Sequence, residues 1–458
     1  MDPVIKYSPV IPPDPELLGS MVHYVSYSSG ISDGVQPFEY TGWRDECTAW
    51  HETCYIHSNL WPSPIYRFWG PDSTKFMKKY FANTFENFPV GKAKHGIMCD
   101  EEGRDMVDGL LLKTGEDEYE TYWLAPWLQY CVETSGMDVQ GELLTGKRHL
   151  FQLGGPKSLE IVEAASGDNL HDIKFIHHRM SKIAGKDVRI LRAGMAGSLA
   201  YEVQFNVEDA IPIYEQLLKA GKKYGLRRQG LPSYNMTHWE NGFPQAYLDF
   251  PLPWYENKEF GDWLDQHIVT RPNGTDPNDT RSLRGSMGKD MRLRYRNPIE
   301  LGWGKTINFD HDFIGKEALQ KIAADPNHRV MVTLEWDKED IMDIHRSQYD
   351  QEPYLDISDA DDLSYNRPGL PADQVLNAKG ECVGISTGRM FSWYYRNMIS
   401  ICSIEKKYSA EGTEVFVLWG DPGTRQKKIR AKIARFPYFN TDRNQKVDID
   451  KIPVGTMD

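Results

Sequence analysis

The stretch Arg192–Asn206, RAGMAGSLAYEVQFN, constrains the fold more than any other. Tyr201, Val203 and Phe205 alternate with Glu202 and Gln204, the period of two that marks a strand with one buried face. Gly194 and Gly197 stand just before it, so the backbone there either turns tightly or passes close to something flat. Glu202 falls on the face opposite the apolar set. A carboxylate held there accepts paired N–H bonds from a heterocycle such as a pterin. An exposed strand glutamate is the plainer reading of the same pattern.

The chain has 458 residues, enough for two or three domains, each with its own core. A net charge of −13 argues against a nucleic-acid partner, whose phosphates need a basic face. No stretch approaches the roughly 18 consecutive apolar residues that a membrane helix requires. The N-terminus is broken by prolines and lacks the basic-then-apolar order of a secretion signal. A cytoplasmic protein with no membrane partner is expected. The six cysteines show no CxxC pair and no ligand-like spacing with histidine, so they read as reduced thiols, with no metal site.

Order along the chain predicts an α+β protein. Trp43, Cys47, Trp50 and Cys54 recur at helical spacing. Gly91–Leu112 reads as two strands joined by an acidic turn at Asp100–Gly103, with Lys92, Lys94 and His95 as solvated basic residues beside it. Glu208–Lys223 carries Ile211, Tyr214, Leu217 and Leu218 on one helical face. Gly230–Tyr255 is the least regular part; it concentrates aromatics and prolines, and long irregular segments in compact domains are often functional. Arg329–Trp336 alternates as a strand and opens a new unit. An acidic loop near Asp340–Asp362 interrupts it, and further short strands follow. The expected division falls near 325, with 1–325 as one domain and 326–458 as a small β-barrel.

Several runs then coincide with one family. Pro298-Ile-Glu-Leu-Gly-Trp303 and Phe309–Leu319, with Gly91–Lys94, Phe151-Gln152, Gly155-Pro156, Arg192–Gly197, Trp239–Gly242 and Leu418–Gly420 in the same order, resemble the glycine-cleavage aminomethyltransferase superfamily. Within it, the chain is most similar to tetrahydrofolate-dependent aryl O-demethylases that act on vanillate and syringate. The resemblance implies a three-lobed folate-binding fold with a C-terminal all-β barrel. Gln152 and Glu202 look like its pterin-binding pair. Tyr201, Phe243, Glu240 and Trp303 are the other expected folate contacts. Tyr234 falls on the family's essential tyrosine. The implied reaction moves a methyl group from a methoxy donor to N5 of tetrahydrofolate, with the Tyr234 hydroxyl facing the leaving oxygen.

The departures are informative. Leu124, before Ala125-Pro126, stands where the relatives carry the arginine that grips a carboxylate. Their early histidine is replaced near Trp61, with His57 close by but unaligned. With Trp61, Trp123 and Trp127 also present, the substrate pocket should be more apolar, which suits a donor that is not a benzoate. Asp108 lies one place beyond the superfamily's catalytic aspartate. Other expectations left open are a sulfonium, quaternary-amine or halomethane donor, and a folate-binding protein without catalysis. The sequence does not give the oligomeric state.

Overall fold

The alternation around Glu202 becomes the strand Ala200–Asn206, the third member of a six-stranded sheet. Its order runs His178–Ile183, Lys186–Leu191, Ala200–Asn206, Arg148–Gly154, Cys54–His57 and Leu226–Arg228, antiparallel except for the last pair. The computed structural model describes residues 23–28, 33–58, 63–267, 274–281, 283–358 and 370–457. Tyr201, Val203 and Phe205 pack with Phe151 and Leu153 against the helices Ser158–Ser166 and Ala210–Gly221. That core fixes the register: Glu202 pairs with Gln152, and His57 with Gln152 from the other side. A slip of one residue would turn all three side chains away.

A second lobe is an antiparallel five-stranded sheet, ordered Ala93–Cys99, Asp105–Gly115, Glu118–Tyr122, Ile65–Trp69 and Gln140–Leu143. The acidic turn between its first two strands is tied by Asp100, whose carboxylate accepts from Glu102 N, Arg104 N and Arg104 Nε. The third lobe is a closed antiparallel barrel of six strands between Arg329 and Ala434. The expected α+β class holds. Among the described residues no helix is long and apolar enough to cross a membrane.

Three expectations change. The expected acidic loop contains the helix Lys338–Ser347, capped by Asp337, which accepts from Glu339 N and Asp340 N, and it buries Ile341 and Ile344. The region read as least regular holds the helix Leu231–Asn241, and all eleven of its residues are buried. A helix covered on every side has no polar face to reveal its period. It runs from Gly230, with Pro232 in its first turn, to Gly242 in the left-handed conformation. Lastly, the barrel does not extend to 458. After Ala434 the chain returns to the first lobe: Arg192 donates to the Asn444 side chain and backbone and to Val447 O, Asn444 N donates to Gly197 O, and Ile449 joins the core there.

The Leu231–Asn241 helix lies between the first lobe and the barrel. The barrel strand Cys382–Ser392 bulges at 387–390 to meet it, with Gly388 at φ +58°. A Cβ at 388 would collide with the Trp239 indole nitrogen and the Asp249 carboxylate, which are themselves hydrogen-bonded at 3.1 Å. Gly388→Ala is therefore expected to lower stability by about 2–4 kcal/mol, from strain plus overpacking. Urea unfolding checks it; an unchanged midpoint would mean that the barrel is not seated through this contact.

Candidate active site

The first and second lobes, with the central helix and the segment after it, line a cavity of about 280 Å³. The first lobe gives it a polar wall. Gln152 Oε1 accepts from the Tyr55 hydroxyl at 2.8 Å and from Met195 N at 3.2 Å. This leaves the amide nitrogen to donate to Glu202 Oε1 at 3.3 Å, while Glu202 Oε2 accepts from Gln204 Nε2 at 3.1 Å. Gly194 makes the Met195 contact possible, since a Cβ there would strike Ala200. Burial pushes the Glu202 carboxyl up to about 7 against these two bonds. A carboxylate has about four lone-pair directions, and two are used. The remainder can take paired N–H donors from a ligand.

Tyr234, on the central helix, presents its ring to the same cavity between two histidines. His57 lies edge-on at 5.0 Å and His238, one turn along the helix, at 4.8 Å. Burial lowers both imidazoles to about 3, so both are neutral. His238 Nδ1 lies 3.2 Å from Phe243 O, a carbonyl that only accepts, so Nδ1 carries the proton and Nε2 is left as an acceptor. Burial, and the nearby Glu202 charge, raise the Tyr234 hydroxyl far above its ordinary value, so it remains a proton donor.

The second lobe supplies Asp108, whose Oδ2 lies 2.7 Å from His95 Nε2, and an apolar wall that includes Val107, Leu110 and Trp123. Among the described lining residues none is Lys or Arg. Three lining residues, Trp123, Ile176 and Tyr247, hold positive φ at 74°, 52° and 67°. Bulky side chains rarely adopt that conformation, and such strain gathers at functional sites.

Of the residues expected from sequence, Gln152, Glu202, Tyr234, Phe243, Asp108, Trp123 and His57 line the cavity. Trp303 stands behind it, edge-on to His95 at 4.8 Å. Tyr201 does not reach it, because strand alternation sends its ring into the core beneath the sheet. Leu124 is fully buried under Gly96 and Gly109, and Trp127 packs on Tyr130 and Phe260. Trp61 falls outside the described residues. Glu240 is not at the cavity either. It accepts from Trp50 Nε1 at 2.9 Å and the Ser392 hydroxyl at 2.7 Å, and pairs with His51 Nε2 at 2.8 Å. His95 and His238 were missed. His238 is four residues after Tyr234, a spacing that shares a helix face, but that segment did not read as a helix.

The fold is that of the aminomethyltransferases. The glycine cleavage system aminomethyltransferase T of Bartonella henselae superposes over 93% of this chain and 96% of its own, with a TM-score of 0.64 at 17% identity. The GCVT N-terminal domain matches residues 33–251. A sesamin methylene transferase of Sinomonas sp. (strain No.22) is 45% identical over 443 residues, 94% of this chain and 97% of that protein. The syringate O-demethylase of Sphingobium sp. (strain NBRC 103272 / SYK-6) is 31% identical over 439 residues, 90% and 92% of the two chains. The chain belongs to the glycine-cleavage aminomethyltransferase superfamily, and it is an enzyme, a transferase.

Glu240, fully buried, holds three donors from the first lobe and the barrel on the central helix. Removing it in Glu240→Ala strands those groups, and a loss of about 3 kcal/mol or more is expected in urea unfolding. A loss below 1 kcal/mol would show that the network does not carry the lobe contacts.

Proposed function

We propose that this enzyme moves a one-carbon group from an uncharged aromatic ether to N5 of tetrahydrofolate, a methyl group from a methoxy donor giving 5-methyltetrahydrofolate. One observation carries the reading: the Gln152–Glu202 pair and the Tyr234 hydroxyl share a single cavity without a lysine or arginine in its described lining. The donor pattern of a reduced pterin, an amino group beside a ring N–H, fits the unused lone pairs of Glu202. Bound tetrahydrofolate supplies the nucleophilic nitrogen that takes up the carbon.

The chain's own part is then positioning and charge. Gln152 and Glu202 hold the heterocycle edge, while Trp123 and Leu110 give the ether a dry wall that keeps the reacting centres in contact. Negative charge grows on the leaving oxygen as the C–O bond breaks. The Tyr234 O–H donates to that oxygen, worth about 3 kcal/mol for a single well-aimed donor in a closed site. Asp108 Oδ receives the proton displaced from the acceptor amine, so the net transfer runs from nitrogen to oxygen. A cavity lined by no described cation suits a neutral ring better than a benzoate.

The relative that acts on sesamin supports a second reading. A carbon transferred as methylene must be bound to two leaving groups, as in an O–CH2–O ring. The product separates the two readings: a methoxy donor gives 5-methyl-, and a methylene donor 5,10-methylene-tetrahydrofolate. A panel of neutral aryl methyl and methylenedioxy ethers, with the folate product read by mass spectrometry, decides between them. No folate product from any member would overturn the proposal.

Tyr234→Phe should lower kcat by 10²–10³-fold, the scale of one lost transition-state donor, with tetrahydrofolate affinity by calorimetry unchanged. Equal losses in both would assign Tyr234 to binding instead. Glu202 yields a pH prediction. Its carboxyl is raised to about 7, and the ligand's N–H groups favour the ionised form. Below that pH binding must first expel a proton. Tetrahydrofolate affinity should therefore fall by about tenfold per unit below pH 7 and level off above it. Glu202→Gln should flatten that dependence and weaken binding at pH 8.

A further inference from the structure

His95 has no role in the reading so far, yet it sits in the cavity wall with its ring held from three sides. Trp303 meets it edge-on at 4.8 Å, the Phe243 ring lies at 5.3 Å, and Nε2 is 2.7 Å from Asp108 Oδ2. The strands Ala93–Cys99 and Asp105–Gly115 fix the pair, since His95 faces Leu110 and Asp108 faces Ile97, which places the two on one diagonal of the sheet. An ionised carboxylate only accepts, so Nε2 carries the hydrogen. Among the described residues Asp108 Oδ1 has no hydrogen-bond partner, and it belongs to a residue that lines the cavity. The other titratable groups close to Asp108 are Asp105 on its own strand and Tyr247 from the segment after the central helix. Neither bonds to it. Asp105 has both carboxylate oxygens buried without a partner, and burial, followed by the neighbouring Asp108 and Asp100 charges, raises its carboxyl well above the ordinary carboxylate range.

We propose that His95 is the positioning residue for Asp108: its N–H ties Oδ2 and turns Oδ1 to the cavity as the proton acceptor. The inference rests on the proposed transfer to an amine nitrogen. In that step the N–H bond breaks, its electron pair stays on nitrogen, and the proton passes to Oδ1. Tyr234 supplies a proton to the leaving oxygen, so charge balances without a further reactant. A histidine in this place does for the acid–base group what an outer partner does for a metal ligand, where its loss typically lowers activity 10–100-fold.

Two variants separate positioning from structure. His95→Phe keeps a ring against Trp303 and Phe243 but removes the donor. His95→Gln keeps an N–H near the Nε2 position. His95→Phe should lower kcat by at least about tenfold, with KM for tetrahydrofolate within about threefold, and should move the acid limb of the kcat profile upwards by about one pH unit. His95→Gln should recover most of both. Equal impairment in the two variants, or an unmoved acid limb, overturns the proposal. A readout without turnover uses the imidazole itself: by NMR, the His95 Nε2–H proton should resonate as a hydrogen-bonded one and move upfield or exchange away in Asp108→Ala. An unchanged Nε2–H resonance overturns the pairing. Absence of turnover with every aryl ether would instead sink the proposed reaction, and the Nε2–H resonance would still decide the fate of the pair.

Discussion

A single buried carboxylate, Glu240, ties the molecule together. It sits on a helix without an exposed residue, and its two oxygens are shared among Trp50 and His51 of the first lobe and Ser392 of the barrel. A charge with no water around it is tolerable only if it is surrounded by donors. Those donors come from segments some 190 and 150 residues away in sequence. The helix therefore cannot shift without leaving a carboxylate unsatisfied. Because Tyr234 and His238 ride on the same helix, the hydroxyl in the cavity inherits its position from this network.

The cavity uses the opposite strategy. Glu202 receives two amide bonds and stays under-supplied, its carboxyl raised to about 7 by burial. Tyr234 remains a phenol and the two histidines beside it remain neutral for the same reason. Low dielectric thus does two jobs along one helix. At Glu240 it strengthens bonds that are already made; around Tyr234 it keeps groups waiting for partners that a ligand brings. The difference lies in how many donors the fold delivers to each carboxylate.

What could be read from the sequence follows from which patterns survive burial. The Glu202 strand was legible because one of its faces is core and the other is polar, so alternation is visible in the letters. The barrel strands were legible for the same reason. The Leu231–Asn241 helix was not, since burial on every side erases period. Glu240 was placed with the ligand because its motif resembles a family signature, and no local pattern distinguishes a carboxylate that binds folate from one that binds Trp50. Tyr201 was misplaced although its own alternation with Glu202 already put it on the other face. His95 looked like a solvated residue beside two lysines; only the pairing of its strand with that of Asp108, a register set by the acidic turn, brings the two together. Asp108 itself was found by resemblance, displaced by one position, and it lines the cavity all the same.

The segment beyond the barrel bears on how the protein comes into being. The loop before the Glu202 strand is anchored by Asn444 and Val447 through Arg192 and Gly197. During synthesis, both β lobes and the barrel emerge from the ribosome before those anchors do, and domains generally fold as units in that order. The loop that covers Gln152 is thus fastened last, over a scaffold already set. The wall that carries Gln152 owes its last fastening to residues that lie outside every sheet of the fold.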